Sequence, residues 1–315
     1  MKKKVFFVVC ISIVALAVGA GVVVLSLLGA HGYFAYQKIK TVVSAPAVTD
    51  DGAFVIMSAN IRRKENWYSL DKHDLGKYRW YKRADAYLRN IWEVRPDIFG
   101  AQEVKPAQFD FLKTHLSGYE SVVGYRDNSG LRSESSPIFY NKERFTLLDG
   151  GIFWLSETPE KMSVSWTIGG EYRIATFAEL KDKVTGETIA VFNAHPDWDP
   201  ASACKEEIKV IAAKAAEMLE KGDKVIVFGD LNSDIHTESG ADAQASLGAI
   251  LENAIDVAGE DYGYTFNGYD LDPHEELDYF YVSAGAEISE LKKIDKTYNG
   301  IFPSDHFPIY AKIKF

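Results

Sequence analysis

A chain of 315 residues, 47% of them hydrophobic and 25% charged, has the composition of a globular protein with a sizeable core, which excludes a disordered or collagen-like polymer. Its two cysteines, Cys10 and Cys204, cannot build a disulfide framework, so the fold must rest on buried apolar surface. The formal charge of −10 includes five lysines and no acid before residue 41; residues 41–315 therefore carry −15 and have no general attraction for phosphate backbones or anionic lipid.

The first element follows MKKK. Val5 to Ala30 runs 26 residues without a charge, about 39 Å as a helix, which is long enough to cross a bilayer with some tilt. A spanning anchor is expected over residues 1–30 rather than a cleaved signal peptide, whose apolar region runs only about 7–15 residues. Secretion after cleavage is the alternative. Lys2, Lys3 and Lys4 would stay cytoplasmic, giving a single-pass cell-membrane protein with the remainder outside. Residues 31–52 show no sustained periodicity and end in small and turn residues, as a linker between membrane and domain would. From 53 to 315 no further linker or repeat interrupts the chain, and one catalytic domain is expected there.

Strand-like runs recur at 54–60, 97–103, 121–125, 136–141, 173–180, 188–195, 224–230, 278–282 and 308–315. Several are unbroken apolar stretches, which implies cover on both faces. Between them, Trp80, Ala84, Tyr87, Leu88, Ile91 and Trp92 share one helical face before Pro96. Ile208, Ile211, Ala212, Ala215, Met218 and Leu219 do the same before Gly222. KDKVTGET, 181–188, reads as a hairpin. The pattern is α+β, with helices covering sheets.

The strands end in a consistent way. FVIMSAN ends in Asn60, DIFGAQE in Gln102 and Glu103, IAVFNAH in Asn193 and His195, and VIVFGDLN in Asp230 and Asn232; DYFYV begins at Asp278, and Asp305 and His306 precede the last strand. One such residue would be explained by a turn or a helix cap. Six coincidences point to a site. Carboxylates, carboxamides and two imidazoles, without the cysteine or close-paired histidines of a zinc site, indicate a hard cation, Mg²⁺ with Mn²⁺ or Ca²⁺ as alternatives, and suit hydrolysis of a phosphate ester. Cys204 reads as a small buried hydrophobe. The aromatic and charged stretch 64–82, with Trp67, would form a wall for a sugar, base or headgroup, or else pack on the domain as a loop. His73, His115, His236 and His274 have no motif around them and are read as surface or structural residues.

The ordered set SAN, QE, NAH, GDLN, LDY and SDHFP resembles the endonuclease/exonuclease/phosphatase superfamily, the deoxyribonuclease I-like fold, over nearly all of 53–315. SESSPIFYNKERF and FWLSETP are similar to its secreted or membrane-anchored bacterial branch. The resemblance implies a four-layer α/β/β/α sandwich. It also implies a metal held by Glu103 with Asn60 and Asp305 near the same ion or a second one. Asp230 would orient or deprotonate the attacking water, Asn232 would help hold water and phosphate, His195 and His306 would bond phosphoryl oxygens, and Asp278 would orient His306. Arg62, Trp67, Asp197 and Trp198 are the expected substrate contacts. Relatives of that branch often read NTHLDH where this chain has NAHPDW, so Trp198 replaces a second imidazole. The expectation is an extracytoplasmic, metal-dependent phosphoesterase cleaving a mono- or diester by in-line water attack, a monomer without a protein partner. The charge favours a small phosphoester or headgroup as substrate. An extracellular nuclease is the alternative, and a non-catalytic binding module on the same fold is a further one.

Overall fold

A computed structural model describes residues 38–65, 74–167, 169–269 and 275–315. The expected anchor at 1–30 and Trp67 lie outside the described residues, among which no helix is long and apolar enough to cross a membrane. The elements in chain order are β1 (Val43–Ser44), β2 (Phe54–Asn60), α1 (Trp80–Val94), β3 (Ile98–Gln102), α2 (Pro106–His115), β4 (Leu116–Ser117) and β5 (Tyr119–Val122). There follow β6 (Ile138–Asn141), β7 (Phe145–Trp154), β8 (Ile174–Asp182), β9 (Thr188–Ala194), α3 (Ala201–Lys221), β10 (Lys224–Asp230) and α4 (Glu238–Gly248). The last are β11 (Glu252–Asn253), α5 (Ala254–Ala258), β12 (Asp278–Val282), β13 (Glu287–Lys293) and β14 (Ile309–Lys314).

Two six-stranded sheets result, in the orders β13-β14-β2-β3-β6-β5 and β11-β12-β10-β9-β8-β7. The central pairs β2–β3 and β9–β10 are parallel, and their neighbours within each sheet are antiparallel. Alternation along each strand explains the layers. Phe54 and Ile56 of β2, Ile98 of β3, Val191 of β9, Ile226 and Phe228 of β10, and Phe280 of β12 share one core between the sheets. The intervening residues face outward. Phe192, Val225, Val227 and Tyr279 pack under α3 and α4, while Phe99 and Phe139 stack with Tyr87 of α1 and Phe109 of α2. The expected helix–sheet–sheet–helix order is therefore present.

The structure differs from the stated expectations at one helix face and in the segment before β2. Trp92, expected on the buried face of α1, is 58% exposed; one residue past Ile91 it lies about 100° farther round the helix, beyond the apolar stripe. Of the linker expected over 31–52, residues 41–52 belong to the compact unit from Thr41 onward, and residues 31–37 lie outside the described residues. Thr41 bonds Asp85 at 2.7 Å, β1 pairs with β4, and Pro46 O accepts from Asn141 Nδ2 at 3.0 Å.

Gly229, one residue before the end of β10, has φ +138°, and a Cβ there would lie 2.1 Å from Ala194 O. Only glycine lets β10 approach β9 this closely and turn its last residue toward the gap between the sheets.

Candidate active site

Side-chain parity assembles the site. Continuing the inward-facing series Phe54, Ile56 by twos gives Asn60; Ile98 gives Gln102; Val191 gives Asn193; Ile226 and Phe228 give Asp230; Phe280, read backward, gives Asp278. The same periodicity that fills the core delivers polar groups to one end of it. Asp230 and Asp278 are paired directly across β10 and β12, and Asn60 and Gln102 across β2 and β3.

Gln102 and Asn193 form the floor. Gln102 Nε2 donates to Asn193 Oδ1 at 2.7 Å and to Ser58 Oγ at 3.1 Å; Asn193 Nδ2 donates to Ala101 O and Pro137 O. The Gln102–Asn193 bond ties the two sheets together at this level. Above them, Asn60 Nδ2 donates to Asp230 Oδ2 at 2.9 Å and to Glu103 Oε1 at 3.3 Å, while its own Oδ1 accepts the Arg62 N–H. Both imidazoles turn their Nε2 to the same oxygen, His306 at 3.4 Å and His195 at 3.6 Å from Asp230 Oδ2. His306 Nδ1 lies 2.9 Å from Asp278 Oδ2, which fixes the ring, and Phe266 packs on it edge-on at 5.1 Å.

Burial splits the electrostatics. It pushes His195 down to about 4, against the pull of Asp230. It works on His306 in the same direction, but Asp230 and Asp278 together raise that imidazole to about 10. Asp230 is raised by its burial, opposed by the two histidines. Glu103 also resists ionisation through burial, yet Arg62 and Arg63 hold its carboxyl well below the usual range. The turns carrying these groups are held in left-handed backbone, with φ +61° at Glu103, +51° at Arg62 and +49° at Asn232. Such conformations disfavour non-glycine residues and persist where surrounding contacts enforce them. Here the contacts are the Arg63 N–H to Glu103 Oε2 at 2.9 Å and the Asn232 N–H to Asp230 Oδ1 at 3.1 Å.

The expected residues thus fall into groups. Asn60, Glu103, His195, Asp230, Asp278 and His306 form one connected network, joined by Asn232, whose Nδ2 is tied to Pro196 O at 2.9 Å. Asp305 meets it through Arg62, whose Nη1 lies 3.5 Å from Asp305 Oδ2 and whose Nη2 lies 3.7 Å from Asp74 Oδ1. Asp197 is buried and grips Arg173 at 2.9 Å, whereas Trp198 is 71% exposed. The cleft beside Glu103 and His195 is lined by residues the sequence reading did not select, Arg126, Glu134, Ser135, Ser136 and Arg173. Arg173 immediately precedes β8, so a strand-end rule extended to cations would have found it; Arg126 sits in a loop without periodicity.

The site suits a divalent cation. Two carboxylates, Glu103 and Asp230, converge on the single amide of Asn60, and oxygen is the donor type that a hard cation takes. Among the described residues, the His and acidic side chains whose ligand atoms all lie within 4.8 Å of one another are a different set, His236, Asp261 and Glu276.

A family model described as Endonuclease/Exonuclease/phosphatase family matches residues 57–306. A Bacteroides thetaiotaomicron structure described as a mannosyl-6-phosphatase is 27% identical with TM-score 0.72, covering 83% of this chain and 100% of that one. An endonuclease/exonuclease/phosphatase structure from Bacteroides vulgatus is 25% identical with TM-score 0.74, covering 84% and 99%. The CCR4-Not complex 3'-5'-exoribonuclease subunit Ccr4 of Yarrowia lipolytica is 24% identical over 75% of this chain and 44% of its own length. The chain spans about half the length of the curated relatives it matches.

Proposed function

The chain belongs to the Endonuclease/Exonuclease/phosphatase family, and on that premise we propose that it is a metal-dependent phosphoesterase that activates water at Asp230 and acts on a small phosphoester. The observation that carries this reading is the buried Asp230 carboxylate, faced by Nε2 of both His195 and His306 and joined to Glu103 through Asn60.

In this reading Asp230 takes the proton of the attacking water, and Asn232, fixed to the Asp230 carboxylate through its backbone N–H, limits where that water sits. His306, held at Nδ1 by Asp278, presents Nε2–H to a phosphoryl oxygen as negative charge grows there. His195 contacts the same phosphoryl group from the adjoining strand end. Glu103, with Asn60 and Asp305, would hold a hard divalent cation, which neutralises phosphoryl charge when bound. Arg173, oriented by Asp197, and Arg126 line the adjacent cleft and would bind the substrate's remaining anionic or hydroxyl groups.

The likeness to a protein described as a mannosyl-6-phosphatase supports a sugar phosphate among possible substrates, and the likeness to an exoribonuclease subunit supports a nuclease as the second reading. The test is phosphate release from a panel of sugar, inositol and lipid phosphoesters with and without EDTA. Activity should disappear on chelation and return with Mg²⁺ or Mn²⁺; full turnover in a metal-free chelated sample would overturn the mechanism.

A further inference from the structure

We propose that His236, Asp261 and Glu276 form a second divalent-metal site, suited to Zn²⁺, that ties the segment after Asn232 to the segment before Asp278. Their ligand atoms lie within 4.8 Å of one another, with His236 Nε2 3.6 Å from Glu276 Oε2. Around a tetrahedral zinc with bonds of about 2 Å, donor atoms stand roughly 3–3.5 Å apart, so modest side-chain rotation closes the set. His236 and Asp261 are exposed and free to make that adjustment.

The second observation is Glu276 itself. Its side chain is 2% exposed, and neither carboxylate oxygen has a hydrogen-bond partner. A buried carboxylate without donors is costly, and proteins satisfy one by pairing or by metal coordination. The cluster offers Glu276 the imidazole of His236 and a second acid, Asp261; burial and that like charge raise Glu276 to about 7, so either a proton or a cation must stand between the two acids. One oxygen of Asp261 already accepts the Gly263 N–H at 2.6 Å, leaving the other for the ion.

The backbone brings the ligands together independently of any ion. Asp234 accepts the His236 N–H on Oδ1 at 2.9 Å and the Glu276 N–H on Oδ2 at 3.3 Å, so one side chain pins both segments. An imidazole with two carboxylates suits zinc, whereas Mg²⁺ and Ca²⁺ favour all-oxygen sets. His236 stands four residues after Asn232 and Glu276 two before Asp278. A bound ion would therefore clamp two loops that leave the active-site strands, without itself touching substrate.

Full-length protein in detergent, carrying Glu103→Gln to remove the catalytic-site ligand, would be titrated calorimetrically with ZnCl2, with and without His236→Ala plus Asp261→Asn. The expected result is one zinc per chain whose affinity falls about a hundredfold in the combined variant, with zinc raising the thermal midpoint only when the three ligands are intact. With Glu103 left intact, His236→Ala plus Asp261→Asn should keep turnover with Mg²⁺, which establishes that the combined variant folds. Equal zinc affinity in both proteins, or zinc binding in neither, would overturn the proposal.

Discussion

His306 carries two relationships at once, and each predicts something. Nδ1 is committed to Asp278 at 2.9 Å, so Nε2 is the nitrogen left to act, 3.4 Å from Asp230. His306→Ala should lower turnover by roughly 10²–10⁴, the usual share of a positioned imidazole, while leaving metal affinity nearly unchanged; a near-native rate would refute its role. Glu207 gives a prediction on stability. It lies buried in α3, where it accepts from the Ser165 hydroxyl and the Asp197 N–H. Burial, opposed by those bonds and by Arg173, raises its pKa from 4.5 to about 7. The folded state then holds a proton that the unfolded state releases, so stability should fall between about pH 4.5 and 7 and level off above. The slope is at most about 1.4 kcal/mol per pH unit. Glu207→Gln stays neutral, accepts from Asp197 and donates to Ser165, and should flatten that slope in urea unfolding measured at pH 5, 6, 7 and 8. Parallel pH profiles for the two proteins would remove Glu207 as the source. The residues that meet in the candidate site stood out in the sequence because each ends, begins or closely flanks a strand. Glu207 was not, because a glutamate on an amphipathic helix reads as a solvated charge until the fold shows what covers it.

At the scale of elements, legibility followed burial. The runs at 54–60, 224–230 and 278–282 were read with the boundaries they have, since β2, β10 and β12 are interior strands with apolar alternation or full burial. The hairpin at 181–188 is present, with Lys181 opposite Thr188. By contrast β7 and β13 escaped notice. Both are edge strands, where one flank faces solvent and polarity is tolerated. The register shift between Leu147 and Asp149 breaks the alternation of β7, and β13 reads EISELKK. Helix α2 was missed too, because its Pro106 marks a first turn as readily as a loop. Interior packing is correspondingly intolerant. A Cβ on Gly100 of β3 would stand 2.3 Å from Phe228 Cε2 and 2.9 Å from Asn193 Cγ. Phe228 belongs to the core between the sheets, and the Asn193 side chain is held at the site floor by three hydrogen-bonding partners, Gln102, Ala101 and Pro137. Gly100→Ala should therefore destabilise the fold by about 1–3 kcal/mol, as overpacking of a close-packed interior does, and disturb Asn60 and Gln102 across the sheet. Denaturant midpoints would show it; an unchanged midpoint would mean that the two sheets can separate at little cost.

The charge of the whole molecule bears on the substrate. Residues 41–315 carry −15, and the cations at the cleft are largely offset by acids beside them. Arg126 lies 3.2 Å from Glu134, Arg173 lies 2.9 Å from Asp197, and Arg63 stands between Glu103 and Glu134 at 3.8 and 3.9 Å. A non-specific duplex nuclease gains affinity by neutralising several phosphates, and its log affinity falls with log salt by about 0.9 per contact. The cleft here has the means to neutralise one or two phosphates rather than a track of them, and the surrounding surface repels the remainder of a polyanion. Long-range repulsion fades beyond roughly 8 Å at about 0.15 M salt, so that ionic strength is the fair condition for comparison. There, kcat/KM for sugar, inositol or lipid phosphoesters should exceed that for duplex DNA, and the salt slope for the preferred substrate should correspond to about one or two contacts. Lowering the salt should not reverse the order, because the whole-domain repulsion strengthens as screening weakens. Faster cleavage of duplex DNA than of every small substrate, with a steep salt slope, would show that local arginines at the cleft outweigh the net charge and would favour the nuclease reading.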